Sequence, residues 1–149
     1  MLRKLFTLAV CLVATIMTVS AQTPPNNEIW YTSTDGKKQY LCINDFDGND
    51  DGFKIVSHTY SNGLGIIRAN KPIKCYGGGD GEDAEGWKLF SGIRTIVLPK
   101  SLKIIASRAF EHCSSLTSIT ISESVTEIED KIGCEPFYDC NSLPVINGI

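Results

Sequence analysis

Two stretches of the chain, "IRTIVLPKSLKIIASRAFEHC" and "LTSITISESVTEIEDKIGCEPFYDC", carry apolar residues at matched positions. Ile93, Ile96, Leu98, Leu102, Ile105, Phe110 and Cys113 in the first correspond to Leu116, Ile119, Ile121, Val125, Ile128, Phe137 and Cys140 in the second. The first five pairs lie 23 residues apart and the last two lie 27 apart, because four extra residues sit around "DKIGCEP". A third unit begins at Leu143 and Ile146, and a partial earlier one ends at Trp87, Phe90 and Ile93 with the spacing of Phe110, Cys113 and Leu116. The chain is built on a repeat, and a repeat of this length restricts the fold more than any other feature of the sequence.

A period of 23 residues headed by Leu-x-x-Ile-x-Ile lies in the leucine-rich range. The head reads as a short strand whose alternate apolar residues point into a coil interior. Pro99, Lys100 and Ser101, or Ser122, Glu123 and Ser124, turn the chain after it, and Ala106 to His112 reads as about one helical turn on the return side. One unit cannot bury enough apolar surface to offset the entropy of ordering its own backbone. Coils therefore stack, with their strands side by side in a parallel ladder. The expected fold is a leucine-rich-repeat solenoid, one short parallel β-strand per coil with an irregular or short-helical return, in which Ile96 and Ile119 are lateral neighbours.

The segment before the repeats reads differently. "IWYTSTDGKKQYL" places two apolar stretches around Asp35-Gly36, and "FKIVSHTYSNGLGIIRA" turns at Asn62-Gly63; both are hairpin signals. An antiparallel β piece here caps the first coil, as the end of a stacked array requires. Ile73 and Tyr76 repeat the spacing of Val125 and Ile128, so the coils begin near Pro72. The division is 1–21, 22–71 for the β-hairpin cap, and 72–149 for about two and a half repeats, the last incomplete. The sequence reaches Ile149 one strand into a unit, which makes this end either a shortened array or an edge that pairs with something.

Residues 1–21 have the order of a secretory signal peptide: Arg3 and Lys4, an apolar run from Leu5 to Val19, then Ser20 and Ala21 ahead of a cut before Gln22. The run is short for a membrane anchor and no charged stop follows it. Cys11 is poorly placed for lipidation, because Val10 precedes it and apolar residues continue after it. The 149-residue chain has 14 basic and 17 acidic side chains; losing Arg3 and Lys4 leaves 12 against 17, a net of −5. Such a balance excludes a basic patch for nucleic acid or an anionic membrane face. Five cysteines remain after residue 21, namely Cys42, Cys75, Cys113, Cys134 and Cys140. An odd count argues against a fully paired framework, so at least one thiol stays free or pairs between molecules.

The stretch "RAFEHCSSLTSI" sets His112 directly before Cys113. Cys113 shares its slot with Cys140 and Phe90, which marks it as a small buried group. His112 falls where Asp139 and Leu89 fall, a surface position indifferent to residue type. The pair reads as packing and not as a nucleophile with its base.

The unit "LTSITISESVTEIE…PFYDCNSL", with "GIRTIVLPKSLKIIASRAFEHCSSL" before it, resembles the BspA-like leucine-rich repeat family over residues 87 to 147. "NEIWYTSTDGK" and "FKIVSHTYSNGLGII" are similar, with less specificity, to the segment preceding such repeats in bacterial surface proteins. Pro136 stands where the family has Ala, and the second unit is four residues longer than its pattern. The resemblance implies export, display at the cell surface and adhesion to host proteins or other cells.

Asp47, Asn49 and Asp51, followed by Gly52, match the first half of a calcium-loop pattern, but position twelve is His58 and the flanks read as strand. "GGGDGEDAEG", residues 77–86, holds one calcium-roll match where several in tandem are needed, and reads as an insertion. Neither is expected to hold a metal, and no cofactor is expected. The outward side chains of the strand heads are Thr95, Val97, Ser118, Thr120, Val145 and Asn147. Small, flat and uncharged, they suit contact with an extracellular or host-surface protein or glycan, and suit catalysis or a small-molecule substrate poorly. The alternatives are self-association through the C-terminal coil, or a shortened relative without a tight ligand. An enzyme is not expected, since no paired-acid, metal-ligand or nucleophile constellation falls in register.

Overall fold

A computed structural model describes residues 23–39, 52–77, 91–129, 133 and 135–144. Its strands are β1 (Glu28–Ser33), β2 (Ile55–Ser61), β3 (Leu64–Ala69), β4 (Cys75–Tyr76), β5 (Ile93–Val97), β6 (Ile104–Ile105), β7 (Ser118–Thr120) and β8 (Glu127–Ile128). They make a five-stranded sheet of order β2-β3-β1-β5-β7 and a three-stranded sheet of order β4-β6-β8.

The repeat dictates the parallel pairings. β5 and β7 pair in parallel with Thr95 opposite Ser118, Ile96 opposite Ile119 and Val97 opposite Thr120, each 23 residues apart. β6 and β8 pair in parallel at the same offset, Ile104 with Glu127 and Ile105 with Ile128. β4 joins this second ladder through Cys75 with Ile104 and Tyr76 with Ile105, which puts the first coil where the Ile73–Tyr76 spacing predicts it. Hydroxyls tie one unit to the next at repeated positions: Ser101 Oγ donates to the Ile73 carbonyl at 2.6 Å and Ser124 Oγ to the Leu102 carbonyl at 3.0 Å. Thr117 Oγ1 donates likewise to the Arg94 carbonyl at 3.1 Å.

The antiparallel part is held by the second hairpin. β2 and β3 meet through Asn62 and Gly63, whose φ values of 51° and 80° are those of the mirror-image two-residue turn that matches strand twist. The first expected hairpin does not form as such. Gly36 does turn the chain, at φ 68°, but β1 pairs with β3 on one side and with β5 on the other, both antiparallel. Both edges of β1 are therefore taken and residues 37–39 do not pair with it; Tyr40 and Leu41 lie outside the described residues. Instead the Gln39 N–H donates to the Tyr31 hydroxyl at 2.9 Å, which ties that stretch to the inner side of the sheet.

The core lies between the sheets. Ile29, Tyr31, Ile67, Ile96 and Ile119 project inward from the five-stranded sheet, and Ile73, Tyr76, Leu102, Ile105 and Phe110 meet them. Tyr76, Phe110 and Phe137 form a stacked column with ring centroids 4.7 and 5.2 Å apart. The return side is irregular, one of the two forms expected, and the helical turn read over Ala106 to His112 does not form. Ala106 to Cys113 runs through successive tight turns, with N–H groups of Ala109, Glu111 and Cys113 donating three residues back. Arg108 and His112, at φ 58° and 59°, interrupt any helix there.

Candidate interaction face

Residues opposite one another across paired strands share a face of the sheet. The inward set is buried, so the partners of alternate positions face outward, and they fall into three rows. One row runs Thr59, Ile66, Trp30, Val97, Thr120. Beside it lies Leu64 of β3 with Thr32, Thr95 and Ser118, and on the other side lie Ser57, Arg68 and Glu28. The outer face of the repeat ladder is thus continued without a break by the strands that precede the repeats.

Of the expected contact residues, Ser118 and Thr120 are exposed, whereas Thr95 and Val97 are partly covered by β1. Thr95 Oγ1 and Thr32 Oγ1 are hydrogen-bonded at 2.7 Å across that junction. Val145 and Asn147 lie outside the described residues, as do Asp47, Asn49 and Asp51, the leader and residues 78–90. His58, the twelfth position of the calcium-loop pattern, has its Nε2 2.7 Å from the Tyr31 hydroxyl. Among the described residues no group of three or more His, Cys, Asp or Glu side chains is arranged to hold a metal ion.

Sequence reasoning missed the centre of the face. Trp30 is partly exposed on β1, a strand flanked on both sides, and its indole N–H donates to Glu28 Oε2 at 2.8 Å. The other oxygen of Glu28 accepts from Arg68 Nε at 2.7 Å and stands 2.6 Å from Arg68 Nη2. Glu28 is buried beneath these two side chains, 7% exposed against 53% for Arg68. The signal was available in "EIWYTS": alternation sets Glu28, Trp30 and Thr32 on the side opposite Ile29 and Tyr31, so the tryptophan belongs to the polar face.

The neighbourhood of Cys113 has another character. Burial pushes the Cys113 thiol far above its ordinary range, with the nearby Cys140 adding to the effect. Burial also raises Cys140, to about 11, and its Sγ–H donates to the Phe110 carbonyl at 3.0 Å. His112 is exposed, and its Nδ1 is 3.0 Å from Asp139 Oδ2. Asp139 holds φ 61°, so the two residues occupy equivalent left-handed positions in successive units. A nucleophilic cysteine needs a lowered pKa and access, and Cys113 has neither.

Residues 88–147 match the family model described as "BspA type Leucine rich repeat region (6 copies)". This stretch is a BspA-type leucine-rich-repeat region. No curated protein and no solved structure matches the chain. The BspA-type repeats supply β5 to β8 and the β5–β7 and β6–β8 ladders, whereas β4, Trp30, Glu28 and Arg68 lie outside the matched stretch. Leucine-rich repeats of this type generally serve protein interaction and are typically non-enzymatic.

Proposed function

We propose that the chain is an exported interaction and adhesion module, a short leucine-rich-repeat solenoid that presents the outer face of its five-stranded sheet to a cell-surface protein or glycan. The observation that carries this reading is the continuity of that face: hydrogen-bonded pairing of β1 with β5 joins the repeat ladder to the preceding strands in one surface. Its residues are small hydroxyls and apolar side chains with a single internal ion pair, a composition that favours broad contact. The leader-like order of residues 1–21 supports export, and the net charge of the remaining chain argues against nucleic acid as the partner.

The test is recovery of the mature chain on intact host cells, with and without Ser118→Glu combined with Thr120→Lys. Both positions are exposed, so the fold survives the change and only the face is altered. Recovery falls when the face makes the contact. Equal recovery by the two proteins moves the contact elsewhere and removes the proposal.

A further inference from the structure

We infer that the outer face holds a site for a neutral oligosaccharide, with the Trp30 indole as its stacking platform and Arg68 and the Thr32, Thr95 and Thr120 hydroxyls as its polar partners. This rests on the interaction-module reading above and names the chemistry of its partner: a sugar chain, of the kind carried by cell-surface proteins.

The first ground is the placement of the indole. Tryptophan on the solvent side of a flanked strand contributes nothing to the core, which Ile29, Tyr31 and Ile67 already fill from the opposite face. Its N–H is engaged by Glu28, and Glu28 is in turn fixed by Arg68. The ring is held in one orientation before any ligand arrives, which lowers the entropy cost of binding. With its N–H engaged, what the partly exposed ring has left for a ligand is its π surface. The C–H groups on one side of a pyranose ring are the natural complement of such a face, since they are apolar and carry partial positive charge against the negative ring face.

Charge narrows the choice further. The Glu28–Arg68 pair is internally neutral and the rest of the three rows is uncharged, so the rows themselves offer little attraction to acidic polysaccharide or to nucleic acid; Arg94 is exposed next to Thr95 on β5. Arg68 turns Nε and Nη2 to Glu28, which leaves Nη1–H groups of a half-exposed guanidinium for neutral acceptors. Threonine hydroxyls both donate and accept, as sugar hydroxyls do.

Size and shape agree. The apolar part is the row Ile66–Trp30–Val97, with Leu64 beside it, ending at Thr59 and Thr120. From β1 to β7 is two strand spacings, about 10 Å. That distance accommodates two linked pyranose rings, one over Trp30 and the next over Val97 with Thr120 at its far side.

The experiment is isothermal titration of the mature chain with neutral hexasaccharides of gluco, manno and N-acetylgluco configuration, and with a hyaluronan hexasaccharide as the acidic arm. The same solutions are run with Trp30→Ala, Trp30→Phe and Ser118→Glu/Thr120→Lys, each checked for an unchanged thermal transition. At least one neutral sugar binds, with an affinity unchanged between about 0.05 and 0.5 M salt, a range over which screening would weaken an ionic contact. Trp30→Ala weakens it about tenfold or more, and Trp30→Phe, which keeps a ring, restores most of the loss. Two results overturn the site: binding of the acidic sugar alone, or equal binding by wild type and Trp30→Ala. If no sugar binds while host-cell recovery still depends on Ser118 and Thr120, the sugar site falls and the interaction face stands. If cell recovery is also indifferent to those residues, both fall.

Discussion

The buried thiol of Cys113 and the half-buried imidazole of His58 show how one side chain's surroundings decide what it can do. Cys113 sits among Phe110, Leu116 and Ile119 in the core, and burial holds its thiol protonated far above neutral pH. Only the thiolate reacts with alkylating agents. Native protein held at pH 8 with iodoacetamide therefore shows no label on Cys113 by mass spectrometry, and unfolded protein shows full label. His58 supplies a pH dependence whose sign follows from burial. Desolvation lowers its pKa below the usual value near 6.5, with Lys38 contributing, so the folded chain resists a proton that the unfolded chain accepts. The unfolded state binds more protons in that window, and stability falls as pH drops through about 6.5 until the lowered folded value is passed. His58→Gln keeps a polar group near the Tyr31 hydroxyl and removes this titration. Denaturant midpoints measured between pH 7.5 and 5.5 fall more steeply for wild type than for His58→Gln.

At the scale of elements, the strands of the repeats were legible and the pairing partners of β1 were not. The spacing of Ile96 and Ile119 identifies them as lateral neighbours because a repeat carries its own register, and the ladder has them paired. The Asn62-Gly63 turn was equally readable, since few dipeptides accept two successive left-handed residues. β1 has no such guide. Its alternation says which side is buried, but nothing local says that Trp30 lies opposite both Ile66 and Val97, 36 and 67 residues away. That is why the Asp35-Gly36 turn was read as a hairpin, and why Trp30 escaped the list of contact residues. Which of the two forms the return takes, irregular or helical, is open in the sequence for a related reason: positive φ at Arg108 and His112 leaves no mark in the hydrophobic pattern. Close approach between β1 and β3 carries a prediction of its own. Gly65 lies opposite Tyr31, and a Cβ there would enter the Tyr31 ring. Tyr31 is buried, so its ring has little room to give way. Gly65→Ala costs about 1–3 kcal/mol in urea unfolding, as overpacking does in other cores. The repeated hydroxyl ties give a smaller value: Ser124→Ala leaves the Leu102 carbonyl without its donor and costs about 1 kcal/mol by the same measurement.

Over the whole molecule, the strands that precede the repeats and the repeats themselves share one core and one sheet. β1 gives β5 its antiparallel partner, the Asn26 carbonyl accepts from the Ile73 N–H at 2.8 Å and lies 2.7 Å from Ser101 Oγ, whose one proton it shares with the Ile73 carbonyl, and Ile29 closes over the first coil's apolar residues. Stacked units owe their stability to neighbours, and the first unit's neighbour on one side is this antiparallel piece. A fragment spanning 72–149 keeps every residue of the BspA-type match yet leaves the β5 edge bare and Ile73 and Ile96 without their cover. Two copies of a 23-residue unit do not bury enough apolar surface to offset the backbone entropy. The fragment is therefore expected to lose its cooperative urea transition and most of its β signal by circular dichroism, whereas residues 22–149 unfold in one step. Phe110→Ala in the longer protein tests the same unity from the other end. It removes the middle ring of the Tyr76–Phe110–Phe137 column, at a cost of about 3–5 kcal/mol. If the molecule is one cooperative unit, hydrogen exchange at the β2–β3 hairpin amides accelerates along with that in the repeats. Exchange that rises in the repeats alone would divide the molecule into two independently folding halves.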